Sequence, residues 1–193
     1  MPAKKEDSQH SNLLKLLMAE VDDLELVDLE HPEEGDPGEL LQEGFAISKL
    51  FAIIEFALRH AKDEESLLDG IDMMDRPEAL KAINGTFLFE VSSPSLPSSS
   101  DPPKSISFLV DMRKTGHISK LMPSEGSSSA AKAPRKPDVT IRVADKDMVD
   151  LAMGKAMPQA MFLKGRLKVK GNLMLGLKMN NILQKEIAKL SKL

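Results

Sequence analysis

Four stretches of this chain alternate two unlike faces at period two, and that pattern constrains the fold more than any other feature. Phe87, Phe89 and Val91 alternate with Leu88 and Glu90; Ile106, Phe108 and Val110 alternate with Ser107 and Leu109; Val139, Ile141 and Val143 alternate with Thr140 and Arg142. Within Gly165 to Gly171, Leu167 and Val169 point one way and three cations the other. A fifth, weaker stretch from about His117 to Met122 follows a turn at Lys114-Thr115-Gly116. Period two with a single strongly apolar face predicts a sheet covered on one side only.

The cover is helical. Phe45, Leu50, Phe51, Ile53, Ile54 and Leu58 mark an amphipathic helix from about Glu43 to Ala61, and a shorter one runs from about Pro77 to Ile83, opened by its proline. After Val143, Asp145 is placed to N-cap a helix reaching Met153, with Gly154 as terminator, and Pro158 opens a short helix carrying Met161 and Phe162. A final helical stretch spans about Asn172 to Leu190, with Asn180-Asn181 as its candidate break.

Residues 31–39 combine Pro, Gly and acid and read as a linker. The expected organisation is therefore an acidic N-terminal extension over 1–40, partly helical or disordered, a packed domain over 41–190, and the terminal tripeptide 191–193. In the extension, Leu13, Leu17, Val21 and Leu24 recur at helical spacing. Residues 92–104 and 123–137, rich in Ser and Pro, read as surface loops.

The chemistry is restricted by what is missing. None of the 193 residues is cysteine, which removes disulfides, thiolate metal sites and cysteine nucleophiles. His10, His31, His60 and His117 lack metal-ligand spacing, and no phosphate loop, nucleophile elbow or dinucleotide fingerprint occurs. The expectation is a non-enzyme without metal or cofactor. No apolar run is long enough to span a bilayer, and the charged N-terminus lacks the apolar core of a signal peptide. Charge is dipolar: residues 1–80 hold 7 Lys+Arg against 21 Asp+Glu, and residues 132–193 hold 14 against 5. With aromatics at 4%, the basic half lacks the stacking platforms of a single-strand nucleic-acid binder, so nucleic acid is not an expected partner.

The C-terminal half is rich in methionine: Met112, Met122, Met148, Met153, Met157, Met161, Met174 and Met179. Flexible thioethers suit either an ordinary core or a cavity whose apolar occupant varies. The chain ends in Ser191-Lys192-Leu193, a tripeptide that a soluble import receptor reads at a free C-terminus as a peroxisomal address. This predicts that receptor as a partner and a peroxisomal matrix location, with a cytosolic pool before import.

Asp138-Val139-Thr140-Ile141, then Asp145-Lys146-Asp147-Met148, then the long string from Gly154-Lys155-Ala156-Met157-Pro158-Gln159 through Phe162, Gly165-Arg166-Leu167-Lys168 and Gly171-Asn172 resemble the sterol carrier protein domain, also called nonspecific lipid-transfer protein. The likeness reaches back through Phe108-Leu109-Val110-Asp111 and Gly85-Thr86-Phe87 to Gly44-Phe45, about 150 residues. The resemblance implies an α+β fold: a five-stranded, mostly antiparallel sheet covered on one face by helices, with an apolar tunnel for fatty acids, fatty acyl-CoA, sterols or phospholipids. Carried over residue by residue, it points to Phe108, Met161, Phe162, Leu167, Met174 and Leu177 as lipid-lining. Arg166, Lys168 and Lys170 are candidates for contact with anionic membranes or CoA phosphates. Two departures bear on head-group recognition: Phe108 stands where relatives commonly carry Trp, and Leu177 where some carry Gln. The alternative reading is a non-catalytic peroxisomal protein-interaction domain whose own C-terminal helix fills the cavity.

Overall fold

A computed structural model describes Ala19 and residues 36–63, 72–93, 105–121 and 136–190. The expected N-terminal helix with Leu13, Leu17, Val21 and Leu24, most of the two Ser/Pro loops, Met122, and Ser191, Lys192 and Leu193 lie outside the described residues.

Among the described residues, the four period-two stretches and the weaker fifth are the strands of one five-stranded sheet. They are β1 (Gly85–Ser92), β2 (Ser105–Met112), β3 (His117–Leu121), β4 (Val139–Ala144) and β5 (Leu167–Gly171), in the spatial order β3-β2-β1-β4-β5. Three neighbouring pairs are antiparallel, and the central pair, β1 with β4, is parallel in the register Phe87 to Val139, Phe89 to Ile141 and Val91 to Val143. Those six side chains are buried, while Leu88, Glu90 and Thr140 on the other face are only half-buried. The alternation is therefore a burial pattern, as period two requires.

Among the described residues the sheet is joined by α1 (Ala46–His60), α2 (Arg76–Ile83), α3 (Asp145–Ala152), α4 (Pro158–Leu163) and α5 (Leu173–Leu190). α1 seats Phe51 on the sheet, its ring 5.4 Å from Phe89 and 4.8 Å from Phe108, and tilted aromatic pairs of this kind add about 0.5–1.5 kcal/mol to plain burial. α2 opens with a capping box, in which the Glu78 N–H donates to Asp75 at 2.8 Å and the Asp75 N–H donates to Glu78 at 3.1 Å. Gly154, at φ +68°, follows α3 in the left-handed conformation expected of a terminator.

Three local expectations are corrected. Asp145 does not cap its own helix: α3 begins at Asp145, its N-cap is Ala144, and no side-chain cap bond is made there. The buried Asp145 carboxylate instead receives the N–H groups of Ala46 and Ile47, at 3.0 and 2.9 Å, and so caps α1 from across the fold. Those amides belong to the first turn, which has no intrahelical acceptors, and Phe45 at the N-cap supplies no side-chain oxygen. The candidate break at Asn180-Asn181 is absent, and α5 runs unbroken to Leu190. The modest propensity cost of two asparagines, below about 0.7 kcal/mol each, is outweighed by packing of Met179 and Ile182 on the core. Part of the expected linker is packed: Asp36 accepts the Gly38 N–H at 2.7 Å, a 3₁₀ turn spans Pro37–Leu40, and Pro37 and Leu40 are buried.

Glu55, 2% exposed on α1, ties three elements together. It accepts the Ile118 N–H of β3 at 3.0 Å, lies 2.9 Å from His117 Nδ1, and pairs with Arg59 and with Arg76 of α2 at 3.2 and 3.1 Å. A carboxylate removed from water is tolerated only with such complete partnering. His117, found in the sequence without a role, is thus part of a structural cluster.

Because the Asp145 carboxylate satisfies two first-turn amides of α1, Asp145→Ala should lower the free energy of unfolding by about 1–2 kcal/mol, with Asp145→Asn between it and wild type. Denaturant melts of the three proteins check this, and equal midpoints would contradict the capping role.

Candidate functional site

The site follows from how α5 crosses the sheet. Asn172 caps it, its Oδ1 accepting the Leu175 N–H at 3.1 Å, and an 18-residue helix then extends about 27 Å. Leu175, Met179, Ile182 and Ile187 recur at helical spacing and pack against the core. The helix is held close at both ends. At its start, Leu175 lies so near Gly85 that a Cβ there would stand 2.6 Å from Leu175 Cδ2, and a larger residue would force the leucine to shift. Near its far end, Glu186 accepts the Met74 N–H at 2.8 Å. Between these points the helix bridges the sheet, and two cavities lie under it.

The first, of about 100 Å³, is enclosed by α1, α2, α5 and the sheet, with Met73, Met74, Met112, Met148 and Met179 among its walls. The second, of about 260 Å³, lies between β4, β5, α3, α4 and α5. They share Phe89, Met148, Met179 and Leu183, so these four side chains partition one apolar space. Among the described residues, polar side chains stand in the walls only as Glu186 in the first and Gln159 and Asn180 in the second. Glu186 is already committed to the Met74 amide and, at 2.8 Å, to Lys189. Chemically, such walls can bury apolar surface; they offer no array of groups for bond making. Among the described residues, no three His, Asp or Glu come together to hold a metal ion, and no helix is long and apolar enough to cross a membrane.

The structure separates the residues singled out in the sequence. Phe162, Leu167 and Leu177 line the second cavity. Phe108 is wholly buried against Phe51 and Met161 is 3% exposed in the core, neither of them lining either cavity, whereas Met174 points outward, 73% exposed. Arg166 is committed to Asp147, donating from Nε to Oδ2 at 3.1 Å and from Nη2 to Oδ1. That hydrogen bond first, and the attraction of the Asp147 charge second, hold its guanidinium above even the usual arginine range. Lys168 and Lys170 are exposed, and alternation along β5 puts them on the face opposite Leu167 and Val169, away from the cavity.

The residues that most define the site were not among those candidates. Met179, Ile182 and Leu183 share one face of α5 and were legible as helical spacing, but Met73 and Met74 sit in a short acidic connector where no periodicity marks them.

The model of the SCP-2 sterol transfer family matches residues 65–184. Sterol carrier protein 2 of Oryctolagus cuniculus is 32% identical over 154 residues, which is 79% of this chain but 22% of the relative; the chain thus spans about a fifth of that relative's length. The oleate-induced peroxisomal protein POX18 of Candida maltosa is 31% identical over 114 residues, 59% of this chain and 77% of the relative. Among solved structures, the apo form of sterol carrier protein 2 from Yarrowia lipolytica superposes with a TM-score of 0.56 at 25% identity, covering 77% of this chain and 97% of that one.

Space with walls this apolar takes up small apolar molecules more readily than water. Saturating benzene should therefore raise the thermal midpoint of wild type. Leu183→Trp, which fills the shared wall, should abolish the rise. An equal rise in both proteins would show that the space under α5 is not where benzene binds.

Proposed function

The chain belongs to the SCP-2 sterol transfer family, and from that membership we propose that it is a lipid carrier that shelters one ligand in the two cavities beneath α5. The observation that carries this reading is the shared partition of Phe89, Met148, Met179 and Leu183. Two of those four are methionines, whose unbranched thioethers change rotamer at little cost, so their rotation joins the two spaces into one tunnel.

Each CH₂ buried contributes roughly 0.8 kcal/mol, which holds a long chain without hydrogen-bond specificity and leaves selectivity low. A flexible acyl chain threads a methionine constriction more readily than a rigid sterol ring, so fatty acids and fatty acyl-CoA are the favoured ligands, with sterols and phospholipids behind them. Gln159 and Asn180 are placed to meet a polar head at the second cavity. Phe162, Leu167 and Leu177 provide hydrophobic contact there, and Phe108 and Met161 support the wall from the core. Lys168 and Lys170, facing away, act as a long-range attraction for anionic surfaces or CoA phosphates.

The role is carriage, not catalysis. In this reading the lipid-binding domain is 41–190, preceded by an acidic extension over 1–40 whose buried Pro37 and Leu40 pack on the domain. A peroxisomal location is supported by the peroxisomal relative, and the tripeptide Ser191-Lys192-Leu193 agrees with it. The competing reading, an interaction domain with a self-filled cavity, requires α5 to occupy the space that it roofs.

Titration of delipidated protein with a fluorescent long-chain fatty acid should saturate, with fatty acyl-CoA competing better than sterol. Leu177→Glu, which puts a charge in the half-buried wall, should weaken binding at least about tenfold. Absence of saturable binding by wild type would overturn the carrier reading.

A further inference from the structure

Five large apolar side chains stand exposed among the described residues, and all of them lie between positions 157 and 174: Met157, Phe162, Leu163, Leu173 and Met174. Leu163 is 85%, Met174 73% and Met157 69% exposed. Scattered exposed hydrophobics need no explanation, but a concentration at one place does. The place is specific, because Phe162, Leu163 and Leu173 also line the second cavity. The cluster is its rim, built from α4 and the first turn of α5.

Along the sequence, the segment that builds the rim carries charge of one sign. Residues 151–185 contain seven Lys and Arg and not one Asp or Glu. Lys155 precedes Met157 by two positions, Lys164 follows Leu163, and Lys178 stands one turn beyond Met174 on the same side of α5. All three are exposed, and none makes an ion pair with another described residue.

We propose that this rim is a membrane-docking face, whose apolar tips enter an anionic lipid leaflet while Lys155, Lys164 and Lys178 engage the phospholipid head groups. Apolar tips ringed by cations match an anionic bilayer, which offers hydrocarbon below a negatively charged surface. A protein partner of equal fit would need an apolar pocket inside an acidic ring. The position at the cavity rim supplies the purpose, and here the inference rests on the lipid-carrier reading: with the rim seated in the leaflet, an acyl chain passes into the second cavity without crossing water. The docking face is thus distinct from Lys168 and Lys170, which lie on the opposite side of β5.

The test is co-sedimentation of the full chain with phosphatidylserine-rich and with pure phosphatidylcholine vesicles, for wild type, Met157→Glu/Met174→Glu and Lys164→Glu/Lys178→Glu. Wild type should sediment with the anionic vesicles, less so as salt rises, and each double variant should bind about tenfold more weakly with an unchanged thermal midpoint. Wild type that stays in solution, or variants that sediment like wild type, would overturn the proposal. So would a concentration-dependent dimer, seen without vesicles and abolished by Met157→Glu/Met174→Glu, because the face would then belong to a second copy. Fatty-acid titration of wild type in vesicle-free buffer separates the two readings. Docking without uptake supports this face while ending the carrier reading, and uptake without docking does the reverse.

Discussion

The arrangement depends on a helix held at its two ends over an apolar sheet. α5 touches β1 through Leu175 on Gly85 and the segment before α2 through Glu186 on the Met74 amide. Its central turns are supported by side chains alone. Met179 and Leu183 reach down to Phe89 and Met148 and divide the space between helix and sheet without filling it. A close-packed interior leaves few voids larger than a water molecule, so about 260 Å³ on one side of that partition and about 100 Å³ on the other are features to be explained by use.

The polar chemistry of the domain is spent on keeping the frame fixed. Glu55 joins α1 to α2 and β3, Asp145 caps α1 from α3, and Asp147 fixes the start of β5 through Arg166. These carboxylates lie apart from the cavity walls, and each is matched by amides or cations. A rigid frame of this kind lets the walls themselves be soft. Methionine at the partition can re-pack around different chains while the sheet and α1 stay in place.

Much of this could be read in the sequence. Period two located four of the five strands, the turn at Lys114-Thr115-Gly116 the weaker β3, and helical spacing the main helices, because burial of one face is a local signal that survives in the string of residues. The family likeness carried the five-stranded sheet and its helical cover. The interactions that cross the fold were not legible. Asp145 stands where a residue would cap its own helix, and only the three-dimensional arrangement shows its carboxylate on Ala46 and Ile47. Arg166 reads as one of three outward cations, yet its guanidinium is bound to Asp147. The site residues divide in the same way. Phe162, Leu167 and Leu177 face the second cavity, while Phe108 and Met174, equally apolar in sequence, are placed in the core and in solvent. Met73 and Met74 carry no periodic signal because an irregular segment delivers them to the first cavity.

The central claim is that a single acyl chain occupies both cavities across the methionine partition. Methionine methyl NMR with a fatty acid spin-labelled along its chain tests this directly in vesicle-free buffer. The account predicts that Met148 and Met179 broaden first, followed by Met73 and Met112 of the first cavity, while exposed Met157 and Met174 keep their signals. Broadening confined to Met157 and Met174, with Met148 and Met179 unchanged at saturation, would place the lipid on the surface and contradict the account.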